Sequence, residues 1–85
     1  MNVLYAPTFI RIYKTLPKEL QEEIKEKIEL FKKNPHHPFL KTHKLKGALR
    51  GRWSFSVNFQ YRIVCIYRSP TEVVLLVCGD HGVYS

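Results

Sequence analysis

The chain has 85 residues, enough by surface-to-volume scaling to bury only ~60–65% of the surface an unfolded chain exposes, which predicts one small core and no deep pocket. An apolar share of 45% with 25% charged residues excludes a disordered tail, and no apolar run approaches a membrane span. The net charge of +7 excludes a neutral or acidic surface and raises the question of where the excess lies.

A single domain over residues 1–85 is expected, in the cytoplasm and away from membranes, because the opening MNVLYAPTF lacks the basic start and cleavage site of a secretory signal. Cys65 and Cys78 lie inside apolar runs without CxxC spacing, a pattern of buried thiols rather than of a disulfide or a metal site.

In chain order, NVLY is a short apolar strand candidate ended by Pro7. Phe9, Ile12 and Tyr13 recur at helical spacing and predict a first short helix over residues 8–14. Leu16, Leu20, Ile24, Ile28 and Phe31 then form the stripe of a longer helix. Thr15 is its candidate cap, Pro17 stands in its first turn, and Lys32, Lys33, Asn34 and Pro35 mark its end. Glu23 with Lys27 and Glu29 with Lys33 are spaced for ion pairs on its wet side. The segment NPHHPFLKTHKLKG reads as a loop. From Trp53 the period is two: Trp53, Phe55, Val57 and Phe59 alternate with Ser54, Ser56 and Asn58, which predicts a strand with one apolar face. A tight turn near Phe59–Gln60 leads to YRIVCIY, and RSPTE leads to VVLLVC, whose two apolar faces place it inside the sheet. The order β-α-α-β-β-β predicts an α+β domain, with two N-terminal helices packed on one face of a small, mainly antiparallel twisted sheet.

The charge is divided unevenly along these elements. Between Pro17 and Lys33, Glu19, Glu22, Glu23, Glu26 and Glu29 are balanced by Lys18, Lys25, Lys27, Lys32 and Lys33. From His36 to Arg68 the chain carries Lys41, Lys44, Lys46, Arg50, Arg52, Arg62 and Arg68 and no acid, so the excess belongs to this half. A solubilising surface is the plain explanation. The interleaved Trp53, Phe55 and Tyr61 point instead to a nucleic-acid backbone. His36 and His37 sit between two prolines without a Cys or carboxylate at ligand spacing, so no metal is implied, nor any other cofactor.

The segments HKLKGALRGRWS, YRIV and the terminal GDHGVY, in this order and spacing after LPKELQEEI, resemble the RelE/ParE superfamily of toxins from toxin–antitoxin pairs. They look closest to the RelE, YoeB and YafQ type of messenger-RNA endonuclease. The resemblance runs over almost the whole chain. It implies a RelE-like fold and a metal-independent ribonuclease that cuts mRNA on the ribosome and is silenced by a cognate antitoxin.

Cleaving RNA without a metal drives the ribose 2′-OH onto the adjacent phosphate, which needs a base, cations for the added charge, and an acid for the leaving 5′-oxygen. His43 is the candidate base, since histidine titrates near neutrality and the resemblance puts Glu or His there; a loop histidine in a basic segment is otherwise simply solvated. Arg62 has a guanidinium fork suited to two phosphate oxygens and matches the family's arginine at the scissile phosphate. The resemblance gives His81 the leaving group and Tyr84 a stacking or proton-assisting role, with Asp80 orienting His81 or occupying a turn. Lys41, Lys44, Lys46, Arg50 and Arg52 are candidate contacts to mRNA and ribosomal RNA. Trp53 joins them as a stacking residue, although its place in the apolar alternation also suits the core. Ser54 and Ser56 stand where RelE itself has two lysines, which favours a histidine-based mechanism. The alternatives are a ParE-like DNA gyrase inhibitor and an inactive basic RNA-binding module.

Overall fold

The structure is a computed structural model that describes residues 1–47 and 51–80. Strand β1 (Asn2–Tyr5) leads into helices α1 (Pro7–Lys14) and α2 (Lys18–Lys33); a 3₁₀ turn (Pro38–Leu40) and strands β2 (His43–Lys44), β3 (Trp53–Ser56), β4 (Arg62–Ser69) and β5 (Glu72–Gly79) follow. The strands form one sheet in the order β1-β5-β4-β3-β2, antiparallel except where β1 runs parallel to β5. This is the expected α+β arrangement of two helices on a mixed sheet. VVLLVC lies inside the sheet, in β5 between β1 and β4.

The helices are placed by the residues their periodicity marked. Phe9 of α1 and Ile24, Ile28 and Phe31 of α2 are buried against Phe55, Ile63, Cys65, Val73, Leu75 and Cys78 of the sheet. Phe31 stacks on Phe55 with ring centroids 4.2 Å apart, the closest aromatic contact between helix and sheet. The two helices are locked at their corner by Gln21, whose Nε2 donates to the carbonyls of Tyr13 (2.9 Å) and Leu16 (3.2 Å). Both carbonyls belong to the end of α1 and the linker, where helical partners run out.

Five expectations are corrected. Thr15 closes α1 rather than opening α2: its hydroxyl donates to the Ile12 carbonyl at 2.7 Å, and Pro17 takes the N-cap position of α2. On the wet side, Glu29 pairs with Lys32 at 3.0 Å instead of Lys33, and Glu23 accepts from Asn58 Nδ2 at 3.2 Å instead of pairing with Lys27. The segment read as a loop carries the 3₁₀ turn and strand β2, which pairs with β3. The strand expected to run to Phe59 stops at Ser56. Asn58 Oδ1 accepts the backbone N–H groups of Gln60 (2.9 Å) and Tyr61 (2.8 Å), bending the chain and leaving Phe59 90% exposed.

Alternation on β5 also departs from period two. Val64 pairs with Val77 but Cys65 pairs with Leu75, so Leu76 is an extra residue, and Cys78 rather than Val77 turns into the core. Cys65 and Cys78 are free, buried thiols, and burial pushes them up to about 12 and about 11.

Candidate functional site

Strand register assigns side chains to the two faces of the sheet. Phe55 pairs with Ile63 on the helix-covered face, so Ser54 and Ser56, with their partners Val64 and Arg62, belong to the opposite face. His43 pairs with Ser54 and therefore shares that opposite face with Arg62. Two strand spacings across and two residues along put the His43 and Arg62 Cα atoms roughly 12 Å apart.

His43 is exposed on β2, and its Nδ1 lies 2.9 Å from the Lys41 carbonyl oxygen. A carbonyl only accepts, so Nδ1 carries the hydrogen, and the neutral ring presents an unprotonated Nε2. Lys41 ends the 3₁₀ turn in the left-handed region, φ 50° and ψ 41°. A non-glycine residue seldom adopts that conformation. The His37 Nδ1 accepts the Phe39 N–H at 3.1 Å at the start of the same turn. His37 thus has a structural use that sequence spacing did not reveal.

Arg62 begins β4, half-buried. Its Nη1 donates to the carbonyls of Asn58 (2.7 Å) and Tyr61 (3.2 Å), while Nε and Nη2 have no partner among the described residues. One nitrogen therefore aims the guanidinium and the remaining edge can grip two oxygens. Its face is the one expected, opposite the buried Ile63. Gly79, the last residue of β5, is its register partner.

Lys41, Lys44, Lys46 and Arg52 are all exposed. Lys44 differs from the other three in holding its Nζ 5.4 Å from the centroid of the Trp53 ring. That ring is half-buried against the core, edge-on to Tyr67 at 5.7 Å and to His36 at 6.0 Å. Arg68, near the end of β4, is paired with Glu72 at 3.5 Å. Arg50, His81 and Tyr84 lie outside the described residues. Asp80 is exposed beyond the end of β5. Ser54 and Ser56, both buried, stand on the same face as Arg62 without supplying charge.

Sequence reasoning missed Phe39 and Phe59. Phe39 is 72% exposed in the 3₁₀ turn, and both phenylalanines line a groove with Lys27, Lys41, Asn58 and Arg62. Period-two counting assigned Phe59 to the core. The Asn one residue earlier was the available signal that the strand ends first.

No protein-family model matches the chain, and no curated protein matches it by sequence. Solved structures do match in fold, and the fold they share with this chain is that of RelE/ParE-type toxins, the α+β fold that the sequence resemblance implied. The YoeB/ParE toxin from Agrobacterium tumefaciens superposes with a TM-score of 0.78 at 21% identity, over 95% of this chain and 99% of that one. YafQ from E. coli gives 0.80 at 16% identity over 98% and 96%. The YoeB–YefM complex from Staphylococcus aureus gives 0.76 at 24% identity over 95% and 97%.

Proposed function

We propose that this protein is the toxin of a toxin–antitoxin pair and a ribosome-dependent, metal-independent mRNA endoribonuclease. The observation that carries the reading is the register that sets His43 and Arg62 on one face of the sheet, with cations exposed around β2. A sheet face with a proton acceptor and a half-committed guanidinium suits attack by a 2′-hydroxyl on a neighbouring phosphate.

In this reading Nε2 of His43 takes the 2′-proton as the 2′-oxygen bonds to phosphorus. The free edge of Arg62 neutralises the added charge. The bond to the 5′-oxygen then breaks and that oxygen takes a proton from His81, leaving a 2′,3′-cyclic phosphate and a 5′-hydroxyl. Tyr84 assists by stacking or proton transfer. Lys41, Lys44, Lys46, Arg50 and Arg52 hold mRNA and ribosomal RNA phosphates, with Trp53 contributing through the Lys44 ammonium above its ring.

A small, basic surface of this kind calls for an acidic, mostly helical antitoxin as its inhibitor, and the Staphylococcus aureus neighbour was solved with YefM. The test is to incubate the protein with programmed ribosomes and, separately, with gyrase and supercoiled DNA. Cleaved mRNA, lost ~10²–10³-fold in Arg62→Ala, is expected. Gyrase-dependent DNA breakage with intact mRNA overturns the reading in favour of a ParE-like activity, and binding without cleavage reduces the protein to an RNA-binding module.

A further inference from the structure

Phe59 stands 90% exposed at the β3–β4 turn and Phe39 72% exposed on the 3₁₀ turn, and both line the groove reached by Arg62 and Lys41. A single exposed phenylalanine is unremarkable, but two on one groove among cations are not accounted for by folding. The backbone beneath each ring is pinned. Asn58 Oδ1 holds the turn of Phe59 through the Gln60 and Tyr61 N–H groups, and Val57 N–H closes it on the Tyr61 carbonyl at 3.0 Å. Phe39 donates its N–H to His37, whose ring also meets the Phe39 ring edge-on at 4.8 Å. Arg62 is tied to the same turn, since its Nη1 donates to the carbonyl of Asn58, the residue before Phe59.

We propose that this groove is a base-stacking subsite for single-stranded RNA, with Phe59 carrying the base next to the phosphate held by Arg62 and Phe39 carrying another. The assignment rests on the ribonuclease reading. Aromatic faces interleaved with cations are what a single strand requires, because bases stack while phosphates are neutralised. A protein helix would need a continuous apolar surface. The cleft lined by Tyr5, Phe9, Ile10, Tyr13 and Ile28 offers one, whereas the Phe59 groove does not. Glu23, the acid in this groove, is engaged by Asn58 Nδ2.

The experiment measures cleavage of mRNA on ribosomes as a function of ribosome concentration, for the wild type, Phe59→Leu and Phe59→Trp. Each is assayed on an intact message and on one made abasic beside the cut site. Phe59→Leu, which keeps an apolar side chain but no ring, is expected to raise the half-saturating concentration about 10-fold, and Phe59→Trp to preserve it. The abasic message should cost the wild type the same and cost Phe59→Leu nothing further, as coupled partners do. Unchanged saturation in Phe59→Leu, or losses that simply add, overturns the stacking subsite while leaving the ribonuclease reading intact. Weakened antitoxin binding in Phe59→Leu with normal RNA saturation overturns it in favour of a protein-docking groove. A wild type that does not cut ribosome-bound mRNA removes the ribonuclease reading first, and the subsite with it.

Discussion

The imidazole of His43 donates through Nδ1 to the carbonyl of Lys41 at 2.9 Å, and Lys41 presents that carbonyl from a left-handed backbone conformation at φ 50°. The bond selects the tautomer in which Nε2 is the free acceptor. The conformation costs a non-glycine residue roughly 1–2 kcal/mol.

Replacing Lys41 therefore separates charge from geometry. Lys41→Gly accepts φ above zero without strain and retains the carbonyl, so the ribosome-bound cleavage rate should hold while binding loses part of its salt dependence. Lys41→Val should lower stability by about 1–2 kcal/mol in urea unfolding and slow the bound reaction, because a β-branched residue resists that backbone. Equal rates in the two variants would show that the Lys41 carbonyl does not position His43.

The division of labour between the histidines is read from pH. In the proposed mechanism one histidine accepts a proton and the other donates one, which should make the single-turnover rate bell-shaped in pH. His43→Gln should remove the acid-side limb and His81→Gln the alkaline-side limb, whereas Arg62→Ala should lower the curve without moving it. Near-wild-type rates in both histidine variants on saturating ribosomes would transfer the chemistry to Lys44, Lys46 or Tyr84.

The thiols make the fold sensitive to alkali. Burial raises Cys65 from 9.0 to about 12 and Cys78 from 9.0 to about 11, so each holds its proton more tightly folded than unfolded. Their contribution to stability is whole below pH 9 and is lost as pH rises through the folded values, with a limiting slope of about 1.4 kcal/mol per unit for each thiol. Urea midpoints should fall between pH 9 and 11, less steeply in Cys65→Ala. A maleimide should label neither thiol in the folded protein at pH 7 and both in denaturant.

Packing predicts a contrast between two phenylalanines. Phe31 is fully buried and stacked on Phe55, so Phe31→Ala should cost about 3–5 kcal/mol. Phe59→Ala, at an exposed turn, should stay within about 0.5 kcal/mol of the wild type by the same urea titration.

Local rules were sufficient wherever one periodicity and one solvent boundary decide the outcome. The stripe of Ile24, Ile28 and Phe31 specified α2 and its buried face. Pro17 marked the start of α2, and the position of Arg62 opposite Ile63 followed from period two alone. The basic half of the chain and the thiols were likewise legible, since charge segregation and apolar runs are properties of order along the chain.

Tertiary structure decided what depends on pairing between distant segments. His43 and Lys44 have too short a run to form a strand alone, and they become β2 because β3 offers its unpaired edge. That pairing, through the register of Ser54, brings His43 to the face of Arg62. The bulge at Leu76 turns Cys78 inward, and Asn58 ends β3 early enough to expose Phe59. Amino-acid order thus determined which elements form and which residues carry charge. Only backbone hydrogen bonding between strands far apart in the chain settled which side chains share a face, because a shift of one residue in register reverses every one of them.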